Sequence, residues 1–198
     1  MKKLRRIYYG SPHLVRAAMS PLLRFEDSLA ALHWELGIPR DYPTRGIPRH
    51  EPPTDLVACD GCLLTPRTRD AWQRMRVAAH DDGVALRLNW AFRSLDDQAL
   101  LIRYGLRNGH SIRDLLQRVA APGFSEHHTG RALDSGTAGC SGPGFERTQA
   151  YAWLCQEASN YGFVETYPPD NRFGIMFEPW HWCWHPPDGR VDEPHGRD

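Results

Sequence analysis

The chain has 198 residues, and its 24 Lys+Arg balance 24 Asp+Glu, so the net charge is zero with His neutral. That balance removes any electrostatic drive toward nucleic acid or anionic lipid, and the length suits one domain with a core of its own. With 41% hydrophobic residues, and Gly (17) and Pro (16) together near one residue in six, the composition is that of an ordered globular protein rather than a low-complexity chain.

The basic start (Met1, Lys2, Lys3, Arg5, Arg6) is followed by Gly10, Pro12, His13 and Arg16, which interrupt any apolar run of signal-peptide length. No later stretch reaches the ~18 apolar residues of a membrane span. Five Cys (Cys59, Cys62, Cys140, Cys155, Cys183) are too few and odd in number for a disulfide framework. The expectation is a soluble chain in a reducing, cytoplasmic setting. Oligomeric state leaves no mark in the sequence.

In chain order, Ser20-Pro21 opens a helical pattern through Leu22, Phe25, Leu29, Leu32 and Leu36 that Gly37 closes, with Ser20 as cap and Pro21 at the first helical position. Residues 38–56 carry five prolines and no periodicity, which predicts an extended strap. Thr65-Pro66 starts a second helix through Trp72, Met75 and Ala79 that stops near Gly83. Val84, Leu86, Leu88, Trp90 and Phe92 alternate with Ala85, Arg87, Asn89 and Ala91, predicting a strand over 84–92. Further helices are expected from Ser94, over about 111–120, and from Phe145 to Tyr161, with short strands at 163–165 and 175–177. Helices and strands mix without a βαβ rhythm, so the predicted class is α+β. The whole of 1–198 reads as one domain, with a helix and strap (1–54) packed on a core over 55–185.

Two segments gather His beside carboxylates: Ser125-Glu126-His127-His128-Thr129-Gly130-Arg131-Ala132-Leu133-Asp134 and Glu178-Pro179-Trp180-His181. A catalytic zinc takes three N/O ligands and leaves a position open for water, and His127, Asp134 and His181 would supply that set. Hydrolysis also needs a base near the water, for which Glu178 is the candidate. Pro179 biases Glu178 toward extended backbone, so Glu178 and His181 are expected to converge through a bend at a strand end. Arg93, directly after the predicted strand, is placed to meet a developing oxyanion.

The string Ser125-x-His127-x-x-Gly130-x-Ala132-x-Asp134, followed by Glu178-x-Trp180-His181, resembles the paired signature of the LAS metallopeptidases, and within them the VanY-like D-alanyl-D-alanine carboxypeptidases. Ala91-Phe92-Arg93-Ser94 with Gln98 is similar to that family's Tyr-Arg-Ser-x-x-x-Gln segment, Phe92 standing in the Tyr place. With Ala121-Pro122-Gly123-Phe124 and Tyr161-Gly162-Phe163, the resemblance covers about residues 55–185. It implies a small antiparallel sheet flanked by helices with a zinc site in a cleft. It implies zinc ligands His127, Asp134 and His181, Glu178 as base, Arg93 on the tetrahedral intermediate, Ser125 and Gln98 holding substrate, and Trp180 behind the metal. The implied partner is a peptidoglycan stem peptide or muropeptide that loses its terminal D-alanine. In two places the chain departs from many members: Thr166 stands where they carry Arg before Tyr-Pro, and Cys183 where they carry Arg two residues after the ligand His. Both departures spare the metal ligands and bear on substrate preference.

Other readings stand beside this one. A phage-lysin type endopeptidase, or a zinc module that binds muropeptides without cleaving them, fits the same ligands, although a pure binder has no use for Glu178. Cys59-x-x-Cys62 would serve a thiol redox protein, but without a second ligand pair it reads as free thiols near a hairpin. His128, next to a ligand on extended chain, should point away from the metal, either behind the ligand or on the surface. Trp182 and Trp184 read as core.

Overall fold

A computed structural model describes residues 25–43 and 45–187. The organising element is the strand β4 (Ala132–Thr137), flanked antiparallel by β3 (Arg87–Trp90) and β7 (His181–Trp184), with β6 (Phe163–Glu165) beyond β7 and β5 (Cys140–Ser141) pairing the end of β4. Across β4 and β7, Leu133 stands opposite Trp182 and Asp134 opposite His181. Side chains alternate between the faces of a sheet, so one cross-strand pair enters the core while the next looks out of the other face. Leu133 and Trp182 join Trp72 and Met75 of α2 (Pro66–Asp81) and Leu154 of α5 (Gln149–Glu157) in the main hydrophobic core. Burying each such side chain stabilises the fold by about 1.5–3 kcal/mol.

A second apolar cluster lies among α1 (Phe25–Leu36), α3 (Leu95–Arg107) and α4 (Ile112–Leu115), built from Leu36, Ala99, Ile102, Leu115, Leu116 and Ala121. Ser94 caps α3 as its sequence position suggests, its hydroxyl accepting from the Asp97 N–H at 3.1 Å. His33 of α1 reaches the Pro122 carbonyl at 2.8 Å, tying that helix to the Ala121-Pro122-Gly123 break. The 38–56 stretch has no helix or strand among its described residues. A small hairpin, β1 (Val57–Cys59) and β2 (Cys62–Leu64), leads into α2 and sets Cys59 opposite Cys62, both as free thiols. No helix among the described residues is long and apolar enough to cross a membrane.

Several elements differ from the sequence expectations. The Ser20-Pro21 helix start lies outside the described residues. The strand predicted over 84–92 is confined to 87–90: Val84 donates its N–H to Ala79 at the end of α2, and Phe92 and Arg93 pair with Leu63 and His127 instead of a strand partner. The helix over 111–120 shrinks to the single turn of α4. The stripe over 145–161 divides into two 3-10 turns around α5, which begins where the Thr148 hydroxyl accepts from the Tyr151 N–H at 3.2 Å. Residues 175–177 form no strand, and Met176 donates its N–H to the Gln117 carbonyl.

Candidate metal centre and catalytic cleft

Three elements bring the ligands together. His127 lies on a 3-10 turn (Glu126–Thr129) that Gly130 ends in the left-handed conformation, at φ 63°. The chain then enters β4 with Asp134 facing the cleft, and β7 delivers His181 as its cross-strand partner. Asp134 Oδ1 is 3.3 Å from both His127 Nε2 and His181 Nδ1. Tetrahedral zinc with bonds of about 2.0–2.2 Å separates its ligand atoms by about 3.3–3.5 Å, so the donors already stand at the spacing of such a site. His127, Asp134 and His181 are all buried and offer their donors within 4.8 Å of one another. The other ring nitrogens are engaged: His127 Nδ1 with the Ala91 carbonyl at 2.8 Å, and His181 Nε2 with Glu126 Oε2 at 2.9 Å.

Arg93 is fixed to the same turn. Its N–H donates to the His127 carbonyl at 3.1 Å, and its own carbonyl meets His128 Nδ1 at 2.6 Å. His128 is therefore neither on the surface nor on extended chain: it is fully buried, and its Nε2 accepts from the Gly123 N–H at 3.0 Å. The Arg93 guanidinium is buried, with one nitrogen donating to Gln98 Oε1 at 2.9 Å, while its Nε has no hydrogen-bond partner among the described residues. Gln98 in turn donates to the Ala120 carbonyl at 2.6 Å. Both ends of the Gln98 amide are thus occupied, the oxygen by Arg93 and the nitrogen by Ala120, although the residue lines the cleft. Ser125 and Trp180 line the same cleft.

Glu178 approaches from the other side. The tight turn Glu178-Pro179-Trp180, closed by the His181 N–H on the Glu178 carbonyl at 2.9 Å, brings Glu178 Oε2 to 4.0 Å from His181 Nδ1. This is the bend at a strand end that Pro179 suggested. Burial pushes the Glu178 carboxyl up to about 8, against the opposing pull of His181. Burial also pushes His127 down to about 4, leaving a neutral imidazole suited to ligation. Desolvation would raise Asp134 and depress His181, but their hydrogen bonds and opposite charges win, so the carboxyl moves down and the imidazole up. His127, Asp134 and His181 thus give a buried set of two imidazoles and one carboxylate, with Glu126 and Glu178 beside it, that fits a divalent cation.

Comparison with known proteins agrees with this geometry. The family model for VanY, D-alanyl-D-alanine carboxypeptidase, matches residues 61–187. The chain belongs to the VanY family. Among curated relatives, the bifunctional D-Ala-D-Ala dipeptidase and carboxypeptidase VanXYC of Enterococcus gallinarum is 33% identical over 126 residues, 60% of this chain and 65% of that protein. The chain thus matches just under two thirds of that relative's length. Among solved structures, the LdcB LD-carboxypeptidase superposes with a TM-score of 0.61 at 27% identity, covering 69% of this chain and 71% of that one. A mutant of the vancomycin-resistance D,D-pentapeptidase VanY, in complex with Zn(II), gives 0.54 at 26% identity, covering 71% and 79%. The α+β sheet-and-helix architecture is the one these VanY-type and LdcB structures share.

Two residues in or behind this VanY-family site escaped the sequence reading. Tyr167 is buried in the cleft, its ring centroid 4.8 Å from that of His181; the Tyr-Pro pair that marks its position was a signal for it. Glu126 stands between two motif residues and carries no mark of its own. Thr166 and Cys183, the two departures from the family pattern, lie on the Glu126 side of His181 and not among the residues lining the cleft. Burial, and next the Glu126 charge, holds the Cys183 thiol well above its usual range.

Proposed function

We propose that this chain is a zinc metallopeptidase that removes the C-terminal D-alanine from peptidoglycan stem peptides or muropeptides. The observation that carries the reading is the placement of Glu178 and Arg93 around one metal-ligand cluster. Zinc held by His127, Asp134 and His181 would supply Lewis acidity and lower the pKa of water in the cleft toward neutrality. Glu178 takes the proton of the attacking water and passes it to the leaving amine. The buried Arg93 guanidinium, braced by Gln98, meets the oxyanion as the carbonyl carbon becomes tetrahedral. Ser125 and Trp180 bound the space for the terminal residue.

The preference between stems is a separate matter. Likeness to VanXYC and VanY favours a pentapeptide ending in D-Ala-D-Ala, whereas likeness to LdcB, an LD-carboxypeptidase, favours a stem whose terminal residue follows an L residue. Mass spectrometry after incubating zinc-loaded protein with a defined pentapeptide, a tetrapeptide and cross-linked wall fragments separates these. Loss of one terminal alanine, abolished by chelation, is the expected result. Cuts inside the stem or cross-bridge would instead establish an endopeptidase, and zinc binding without any cleavage would establish a binding module.

A further inference from the structure

His181 could turn either ring nitrogen toward a metal, and nothing in its backbone position decides which. The neighbour that decides is Glu126, whose Oε2 lies 2.9 Å from His181 Nε2 while Nδ1 faces Asp134 Oδ1. Glu126 comes from the turn that carries His127, so one short segment, residues 126–127, supplies one imidazole of the cluster and holds the other. We propose that Glu126 is a positioning residue of the metal centre. Its carboxylate accepts the Nε2 proton of His181, fixes that tautomer and ring orientation, and leaves the Nδ1 lone pair aimed at the ligand position.

Three further observations support the assignment. First, the Glu126 side chain is almost completely buried, at 11% relative exposure, and a carboxylate taken out of water needs a partner that returns the lost solvation. His181 is that partner. Second, His127 has the same arrangement with a different acceptor, its Nδ1 meeting the Ala91 carbonyl at 2.8 Å. Each imidazole therefore has one nitrogen held from behind and the other free for the metal, as ligating histidines commonly do. Third, His181 Nδ1 lies 3.3 Å from Asp134 Oδ1, and a flip of the ring would put the Cδ2 carbon in its place and withdraw the ligand atom from Asp134. Holding the ring thus keeps the ligand nitrogen on the cluster.

The inference rests on the reading of His127, Asp134 and His181 as a metal site, and its test keeps the two apart. Zinc affinity is measured by chelator competition on the full chain for the wild type and for His181→Ala, Glu126→Ala, Glu126→Gln and Glu126→Asp, with circular dichroism to verify folding. If His181→Ala binds zinc as tightly as the wild type, the metal-site reading itself is wrong. With that reading intact, Glu126→Ala is expected to weaken zinc by about 10–100-fold. Glu126→Gln, whose amide oxygen still accepts the Nε2 proton, should stay within a few-fold of the wild type. Glu126→Asp keeps a buried carboxylate but draws it back by one methylene, so it should lose affinity as the alanine variant does; it carries the test if Glu126→Ala fails to fold. Wild-type affinity in Glu126→Asp, or an equal loss in Glu126→Gln and Glu126→Ala, would overturn the positioning role.

Discussion

Asp134 and His181 face each other across β4 and β7, 47 positions apart in sequence, with Asp134 Oδ1 3.3 Å from His181 Nδ1. The pair is a product of strand register: one step along either strand, Leu133 and Trp182 are equally paired but point into the core. A one-residue slip would send both ligands to the wrong face, so the packing that fixes the register also fixes the metal site.

The first prediction follows from that coupling. His181→Ala should abolish stoichiometric zinc, measured by elemental analysis, and chelation of the wild type should lower its melting temperature. At zinc a thousandfold above its dissociation constant, the bound ion stabilises the fold by about 4 kcal/mol. Unchanged zinc content in the variant would remove His181 from the ligand set.

Glu178→Gln separates base from ligand. It should retain zinc and fold normally but lose about 10²–10⁴ in turnover, the usual contribution of a positioned general base. Normal hydrolysis by that variant would assign the proton transfer elsewhere.

Arg93→Ala should lower kcat by about 10²–10³ with little effect on zinc content, as loss of an oxyanion donor does. Gln98→Ala should act in the same direction but less strongly, because it leaves Arg93 in place and removes only its brace at 2.9 Å. Steady-state kinetics on both variants check the order; a larger kcat loss in Gln98→Ala than in Arg93→Ala would contradict the bracing role.

Gly130→Ala tests the turn that presents His127. A Cβ there would sit 2.7 Å from a Leu56 methyl and 3.3 Å from the Thr65 backbone nitrogen, and the left-handed φ of 63° is itself costly for a side chain. The conformational part alone is about 1–2 kcal/mol, which for a chain of this size lowers the melting temperature by roughly 2–8 °C. Differential scanning calorimetry should show that drop together with weaker zinc binding.

Replacing both Cys59 and Cys62 by Ser should leave activity intact. Burial pushes Cys62 up to about 11 and raises Cys59 as well, so neither thiol is the reactive thiolate that redox chemistry requires. Activity that fell with both thiols removed would revive the redox reading.

What the sequence disclosed and what it hid divide along a physical line. His127, Asp134, His181, Glu178 and Arg93 were legible because their residue types and spacing carry chemistry, and the structure places all five around one cleft. β4, the central strand, was missed because Ala132–Ser135 are buried on both faces, which erases the period-2 alternation that marks a half-exposed strand. The strand over 84–92 was overextended for the opposite reason: its alternation continues past Trp90, but the backbone of 91–93 is taken by His127, His128 and Leu63. Those same contacts bury His128, which a reading of adjacent residues on extended chain could not anticipate. Glu126 was hidden because its significance lies in a contact 55 positions away, with His181.

Metal-dependent hydrolysis at this cleft with Glu178 as base is the proposed activity. It is tested most directly by measuring free D-alanine released from a D-Ala-D-Ala-terminated pentapeptide by wild type and Glu178→Gln, each zinc-loaded, then chelated, then resupplied with zinc. Wild-type release that chelation stops and zinc restores is expected, with release from the variant at least about a hundredfold slower although it binds zinc equally. Release that survives chelation, or that is equal in the two proteins, would contradict that proposal.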